Sequence, residues 1–148
     1  MQAMIGSRME VDFMAPSEIA DFRILRFSLQ PIVENAIRHG HIKDQTLHIA
    51  VRFTVVSEEQ CLLITLTNDG RPIDPSQAER LNELMRHPPD TLGTDMQGIG
   101  LVNLVKRLDL IYGHRASLSL ETVQNQPQFI LKLPSPVTCR TVFCGLPA

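Results

Sequence analysis

The sequence has few cysteines, no long apolar run and no excess of basic residues. Its three cysteines, Cys61, Cys139 and Cys144, are an odd number without a CxxC pair, so we expect neither a disulfide framework nor a zinc site. No stretch reaches the roughly 18 apolar residues of a transmembrane helix, and the N-terminus lacks the layout of a secretory signal. The net charge of -2 gives no positive field that would hold a nucleic acid or an anionic membrane. We therefore expect a soluble, cytoplasmic chain that binds no nucleic acid.

The composition is that of an ordinary globular protein. The chain has 148 residues, 43% of them hydrophobic and 20% charged, which suits one domain with its own core. Residues 1–7 carry no pattern and are expected to be disordered. We expect the domain to span 8–134 and residues 135–148 to form a loosely docked tail, with an added edge strand as the alternative.

Apolar periodicity predicts an α+β fold. Alternating residues predict strands, and residues repeating every three to four positions predict helices. The predicted order is a strand at 8–14, a helix at about 19–39 ended by Gly40, strands at 46–56 and 61–67, helices at 75–86 and 99–112, and strands at 116–122 and 128–133. This order favours a two-layer sandwich in which a mixed, mostly antiparallel sheet packs on helices.

Three polar or glycine-rich segments stand at the ends of these elements. Asn35, Arg38 and His39 are spaced i, i+3 and i+4, so they share one polar face of a helix and can converge on a ligand. An asparagine oxygen can bind Mg²⁺, and an arginine beside it can donate to a phosphate oxygen. The second segment, Asn68-Asp69-Gly70, ends a strand.

The third segment, Gly98-Ile99-Gly100-Leu101, begins a helix. Free backbone N–H groups and the helix dipole make such a start an anion site. The pattern is not the dinucleotide-binding fingerprint, because the third glycine is replaced and a loop precedes it, and no GxxxxGK[ST] motif is present. A bound nucleotide would therefore be held by another scheme.

Two of these segments resemble the motifs of a known family. Residues 29–40, LQPIVENAIRHG, resemble the N-box, and residues 98–103, GIGLVN, with RL at 107–108 and IYG at 111–113, resemble the G2 box, of the ATP-binding catalytic domain of LytS-type sensor histidine kinases. The resemblance spans about 9–133. It implies the Bergerat fold shared by histidine kinases, gyrase, Hsp90 and MutL, with ATP and Mg²⁺ held between helices and a lid loop that includes 87–97.

The resemblance also implies roles for single residues. Asn35 would bind Mg²⁺ and, with Arg38, would be catalytic. The implied ATP-binding residues are Asn35, Arg38, His39, Asn68, Asp69, Gly70, Gly98, Ile99, Gly100 and Leu101.

The turn after the third predicted strand, 61–67, departs from the family pattern. The G1 box reads Asp-Asn-Gly-x-Gly in the family, whereas here Asn68 stands at the first position and Pro72 at the last. A neutral amide in place of a carboxylate would weaken adenine binding by about 1 to 2 kcal/mol. Asp69 could take over the adenine contact if the turn rotates.

A further departure concerns the catalytic base. Hydrolytic members of the superfamily place a glutamate four residues before the asparagine, where this chain has Pro31, so we expect poor ATP hydrolysis by the chain alone. Glu34 points about 100° away from Asn35 on the helical wheel, so we expect it to be an orienting residue or one that contacts another domain.

The resulting hypothesis is an incomplete kinase. None of the five histidines lies in a helical acceptor context, so the phosphorylated histidine is expected on an upstream dimerisation domain of a membrane sensor, with a response regulator as the indirect partner. A homodimer is expected only in that full-length parent. A degenerate nucleotide-binding or interaction module is the alternative, and an autonomous ATPase of the gyrase or Hsp90 type is a third reading.

Overall fold

The helices and strands follow the predicted order. The computed structural model describes residues 8–20, 22, 24–91, 93 and 98–134. The elements are β1 (Arg8–Met14), α1 (Gln30–Gly40), β2 (Thr46–Val56), β3 (Cys61–Asn68), α2 (Pro75–Arg86), α3 (Ile99–Tyr112), β4 (Ser117–Val123) and β5 (Gln126–Pro134), with single 3₁₀ turns at Ser17–Ile19 and Gly113–Arg115.

The strands form one five-stranded sheet in the order β1-β2-β3-β5-β4. β1 runs parallel to β2, and the other neighbours are antiparallel. Along β2, Leu47, Ile49 and Val51 are buried, whereas His48 and Arg52 at alternate positions are exposed. Because alternate residues of a strand point to opposite faces, one face of the sheet packs on the helices and the other is open. The predicted mixed sheet and two-layer α+β architecture are confirmed.

The helices contribute apolar faces to a single core cluster. The buried helix residues include Ile32 and Ala36 of α1, three residues of α2 and five of α3. Most of them pack in one cluster with residues of β2, β3, β4 and β5. Asp74 caps α2, since its side chain accepts a hydrogen bond from Ser76 N at 2.8 Å. The α3 helix begins after Gly98, at φ 82°, and ends before Gly113, at φ 59°.

The predicted long helix at 19–39 is wrong in its first half. Among the described residues of this range, only Gln30–Gly40 form an α-helix, and Pro31 lies in its first turn. In a continuous helix the Pro31 ring would clash with the carbonyl group of residue 27, and the backbone breaks there, with Phe27 at φ 62°. Leu25 and Leu29 still pack against the core, which explains the helix-like apolar spacing of a segment that is not a helix.

Smaller differences concern the last hairpin and the chain ends. Gln126 and Pro127, predicted in the turn, belong to β5, because Gln124 and Asn125 alone make the turn with φ of 52° and 65°. Residues 92 and 94–97 of the predicted lid, and the predicted segments 1–7 and 135–148, lie outside the described residues. The domain limits 8–134 therefore stay a prediction. None of the helices in the described part of the chain is long and apolar enough to cross a membrane.

Candidate functional site

A cavity of about 230 Å³ lies between the C-terminal half of α1 and the end of β3. It brings together two of the predicted segments. Its lining consists of Asn35, Ala36, Arg38, His39, Gly40, Asn68, Arg71, Pro72, Ile73, Gln77, Leu81, Pro127 and Phe129. The polar face of α1 and the turn after β3 therefore meet around one space.

Two glycines allow α1 to approach the turn after β3. A Cβ atom on Gly70 would lie 1.9 Å from Gly40 O, and one on Gly40 would lie 2.6 Å from Asn68 Nδ2. Arg71 N donates a hydrogen bond of 2.8 Å to Gly40 O across this contact. The prediction that Gly40 stops the helix needs correction: α1 includes Gly40, and its glycine is required by the close approach. Gly70, predicted to bind ATP, packs here and does not line the cavity.

Asn68 and Asp69 point to opposite faces of the sheet. Asn68, the last residue of β3, pairs with Ile49, and its side chain is 6% exposed on the helix side. Its Nδ2 atom is buried without a hydrogen-bond partner. Asp69 faces the open side, where Asp69 Oδ1 accepts from His48 N at 2.8 Å and Asp69 Oδ2 lies 2.6 Å from His48 Nδ1. The structure thus places the Asp69 carboxylate outside the cavity, contrary to the expectation that it could replace Asn68.

The pairing of Asp69 with His48 shifts the pKa of both groups. Burial alone would raise the pKa of Asp69, but hydrogen bonds from the His48 backbone and ring together lower it. The hydrogen bond that Asp69 accepts from the His48 ring, and then the Asp69 charge, raises the pKa of His48, to which Glu10 and Asp12 also contribute. This ion pair joins β2 to the turn that carries Asn68.

The polar face of α1, formed by Asn35, Arg38 and His39, carries one permanent cation. Arg38 is exposed at the cavity wall, and Asn35 and His39 are half-buried beside it. Burial, and then the Arg38 charge, lowers the pKa of His39 below its ordinary value of 6.5. His39 is therefore a neutral donor or acceptor at pH 7. Arg71 is a second cation of the lining, and the sequence analysis gave it no role although it lies within the predicted turn.

The start of α3 lies beside the cavity but does not line it. A Cβ atom on Gly98 would lie 3.0 Å from Leu81 Cδ2, and one on Gly100 would lie 3.6 Å from Pro31 Cβ. Because Leu81 lines the cavity, the start of α3 is a neighbour of the cavity. The first intrahelical bond of α3 runs from Val102 N to Gly98 O, at 3.0 Å.

The first turn of α3 offers backbone groups only. The amides of Ile99, Gly100 and Leu101 precede that first bond and have no acceptor inside the helix. The Leu101 side chain is buried in the core, so Leu101 can meet a ligand only through its backbone.

A larger cavity of about 560 Å³ lies elsewhere, among the end of α2, α3 and the start of β4. Its lining is mainly apolar and contains none of the predicted site residues. The smaller cavity is the better candidate, because convergent polar groups rather than volume make a specific site.

Sequence comparisons show the family to which the chain belongs. Residues 20–137 match the family described as histidine kinase-, DNA gyrase B-, and HSP90-like ATPase. The chain is 31% identical over 122 residues to the sensor protein LytS of Bacillus subtilis (strain 168) and 27% identical over 124 residues to the sensor protein LytS of Staphylococcus epidermidis. These matches cover 82% and 84% of this chain and 19% and 20% of the relatives. The chain therefore spans about a fifth of the length of the curated relatives it matches.

Solved structures show the same fold. The histidine kinase domain of the blue-light activated histidine kinase EL346 from Erythrobacter litoralis superposes with a TM-score of 0.58 at 18% identity, covering 94% of this chain and 57% of that one. The catalytic domain of histidine kinase ThkA gives a TM-score of 0.57 at 16% identity, covering 88% and 81%. At these identities the similarity concerns the fold, and it confirms the predicted histidine kinase-like sandwich.

Proposed function

Because the chain belongs to the family of histidine kinase-, DNA gyrase B- and HSP90-like ATPases, we propose that the cavity between α1 and β3 binds Mg-ATP for phosphoryl transfer to a histidine. The acceptor histidine would lie on an upstream helical domain of a LytS-type sensor kinase. The observation that supports this function is the meeting of Asn35, Arg38 and Asn68 in one cavity, beside the start of α3. The sensor proteins among the relatives support the two-component setting, in which a response regulator would be the indirect partner and the full-length protein a homodimer at the membrane.

The phosphate end of the site would be formed by α1 and α3. The Asn35 amide oxygen is a hard neutral ligand on the cavity wall, which fits Mg²⁺ that keeps several waters and binds the phosphates. Bound Mg²⁺ would neutralise charge on the transferring phosphoryl group. Arg38 would donate a hydrogen bond to one phosphate oxygen. The amides of Ile99, Gly100 and Leu101, which have no acceptor inside the helix, would donate to other phosphate oxygens.

The chain's contribution to transfer would be orientation and charge stabilisation. The bond between the γ-phosphorus and its bridging oxygen breaks, a bond from phosphorus to an acceptor histidine nitrogen forms, and ADP leaves. Among the described residues that line the cavity, none is a carboxylate that could activate water. Glu34 Oε1 accepts a hydrogen bond of 2.8 Å from Gln30 Nε2 on the exposed side of α1. Slow hydrolysis by the isolated chain is therefore expected.

Calorimetric titration with ATP, with and without Mg²⁺, tests the binding site. Asn35→Ala should weaken Mg-ATP binding by about 10- to 100-fold, the value of a hydrogen bond or ligand contact to a charged group, while Asn35→Asp should retain a metal ligand. Glu34→Ala is the matched control, because Glu34 is the next residue of the same helix and does not line the cavity. Absence of binding at millimolar ATP, or equal binding by Asn35→Ala and the control, would contradict the proposal.

Phosphoryl transfer needs a separate measurement. The chain would be mixed with γ-labelled ATP and the helical acceptor domain of a LytS relative, and the label on histidine would be recognised by its loss in acid and its stability in base. Label on the acceptor with the unaltered chain, and its loss with Asn35→Ala, is the expected result. Rapid label release as inorganic phosphate without an acceptor would instead indicate an autonomous ATPase.

A further inference from the structure

The Asn68 side chain is an unpaired amide at the wall of the proposed nucleotide site. It is 6% exposed, it lines the cavity, and its Nδ2 atom has no hydrogen-bond partner. Native proteins pair almost all buried polar groups, because a buried donor without an acceptor loses its bonds to water. A ligand that brings an acceptor would satisfy this group.

The contacts around Asn68 hold the amide in place. A Cβ atom on Gly40 would lie only 2.6 Å from Asn68 Nδ2, so α1 packs directly against the amide. The Asn68 backbone pairs with Ile49 in the sheet. The amide can still exchange its oxygen and nitrogen by rotation about the terminal torsion, which for asparagine is broad and roughly two-fold.

An amide at this position reads a base differently from a carboxylate. A carboxylate only accepts hydrogen bonds, whereas an amide accepts through its oxygen and donates through its nitrogen. Adenine presents an amino donor at N6 and an acceptor at N1; guanine and hypoxanthine present an acceptor at O6 and a donor at N1. A half-turn of the Asn68 amide exchanges its donor and acceptor, so it can form two hydrogen bonds with either kind of edge.

We propose that Asn68 relaxes base selection at this site, so that the domain binds guanosine and inosine triphosphates nearly as well as ATP. This inference rests on the proposed function, and it places the base of the bound nucleoside triphosphate against Asn68. No Asp or Glu is among the cavity-lining residues that the structure describes, and Asp69 is held on the opposite face by His48. No lining carboxylate in the described chain would repel the O6 atom of guanine or hypoxanthine.

Equilibrium binding of ATP, GTP and ITP to the intact chain at fixed Mg²⁺ tests this inference. The three dissociation constants of the unaltered chain should agree within about 10-fold, since an amide makes equivalent pairs with each base edge, whereas a good bidentate pair otherwise discriminates by roughly 10- to 100-fold. Asn68→Asp should strengthen ATP binding by about 10-fold, as expected for a carboxylate in place of a neutral amide, and should weaken GTP and ITP binding by at least about 10-fold. Asp69→Asn is the control, because it makes the reverse change on the other face and should leave the ratios unchanged.

The outcomes separate this inference from the function on which it rests. If ATP binds and GTP and ITP bind more than about 10-fold more weakly, relaxed selection is refuted while the ATP site stands. If none of the three binds, both are refuted. If Asn68→Asp and Asp69→Asn leave equal ratios, Asn68 is not the residue that selects the base. The comparison of the three nucleotides uses the unaltered chain, so it decides the inference even if Asn68→Asp folds poorly.

Discussion

Replacing Gly70 by alanine would test the contact that forms the site. The added Cβ atom would lie 1.9 Å from Gly40 O, 2.6 Å from Gly40 C and 2.7 Å from Leu47 Cδ1. Two of these atoms belong to the backbone and cannot rotate away, so α1 must move and the 2.8 Å bond from Arg71 N to Gly40 O must lengthen. Overpacking costs roughly 1–3 kcal/mol and the lost hydrogen bond about 1 kcal/mol, so we expect Gly70→Ala to lower the free energy of unfolding by about 2–4 kcal/mol.

Urea unfolding monitored by circular dichroism measures this loss. Since a domain of this size loses about 2–4 °C of Tm per kcal/mol, a thermal melt should fall by roughly 5–15 °C. Gly93→Ala is the control, because no atom of the described residues lies within 4 Å of the Cβ position there, and it should change stability by no more than about 0.5 kcal/mol. If Gly70→Ala and Gly93→Ala unfolded at the same urea concentration, the close approach of α1 to the turn after β3 would be refuted.

Histidine titration and core truncation test the rest of the structure. By NMR, the pKa of His48 should exceed its ordinary value of 6.5 and fall on Asp69→Asn, whereas burial should place the pKa of His39 below 6.5; the reverse order would contradict the His48–Asp69 pair. The raised pKa means that His48 contributes stability fully below about pH 6.5, and that this is lost as the pH rises through its folded-state value. Leu104→Ala, at a side chain 0% exposed, should cost about 2–5 kcal/mol in urea unfolding, and Leu110→Ala, 84% exposed on the same helix, no more than about 0.5 kcal/mol; equal costs would refute the packing of α3.

Much of the fold follows from local sequence patterns, and the exception has a clear cause. The strand β2 and the helices α2 and α3 have the predicted bounds, because the apolar period is regular in all three and proline or glycine residues mark the ends of the two helices. The prediction of a helix in the first half of 19–39 is wrong, because Leu25 and Leu29 pack against the core from a non-helical segment. Burial alone therefore produces an apolar spacing that resembles that of a helix. Pro31 was the local signal that should have outweighed that spacing.

The polar face of α1 in the site could be predicted from the sequence, and the turn after β3 could be predicted less well. Asn35, Arg38 and His39 lie in the half of α1 that is helical in both prediction and structure, so their shared face follows from the helical period alone. The turn depends on where β3 ends. The strand extends to Asn68, one residue beyond the predicted 61–67, and this fixes Asn68 on the helix face and Asp69 on the open face. Because the alternation of the strand continues to Asn68, this residue shares the buried face of Ile64 and Leu66, whereas a strand predicted to end at 67 leaves its direction undetermined.

The charges of the cavity imply that phosphate and metal would bind together under the proposed function. A nucleoside triphosphate carries several negative charges, whereas the described lining offers two arginines, Arg38 and Arg71, and a His39 that burial keeps neutral at pH 7. Asn35 alone is a weak site for Mg²⁺, which prefers several oxygen ligands, so phosphate oxygens must complete its coordination. Mg²⁺ then supplies positive charge to the phosphates, and the phosphates supply oxygen ligands to Mg²⁺. By linkage, Mg²⁺ should strengthen ATP binding by the same factor by which ATP strengthens Mg²⁺ binding. A chain with a net charge of -2 can hold a triphosphate in this way, because the compensating charge arrives with the nucleotide.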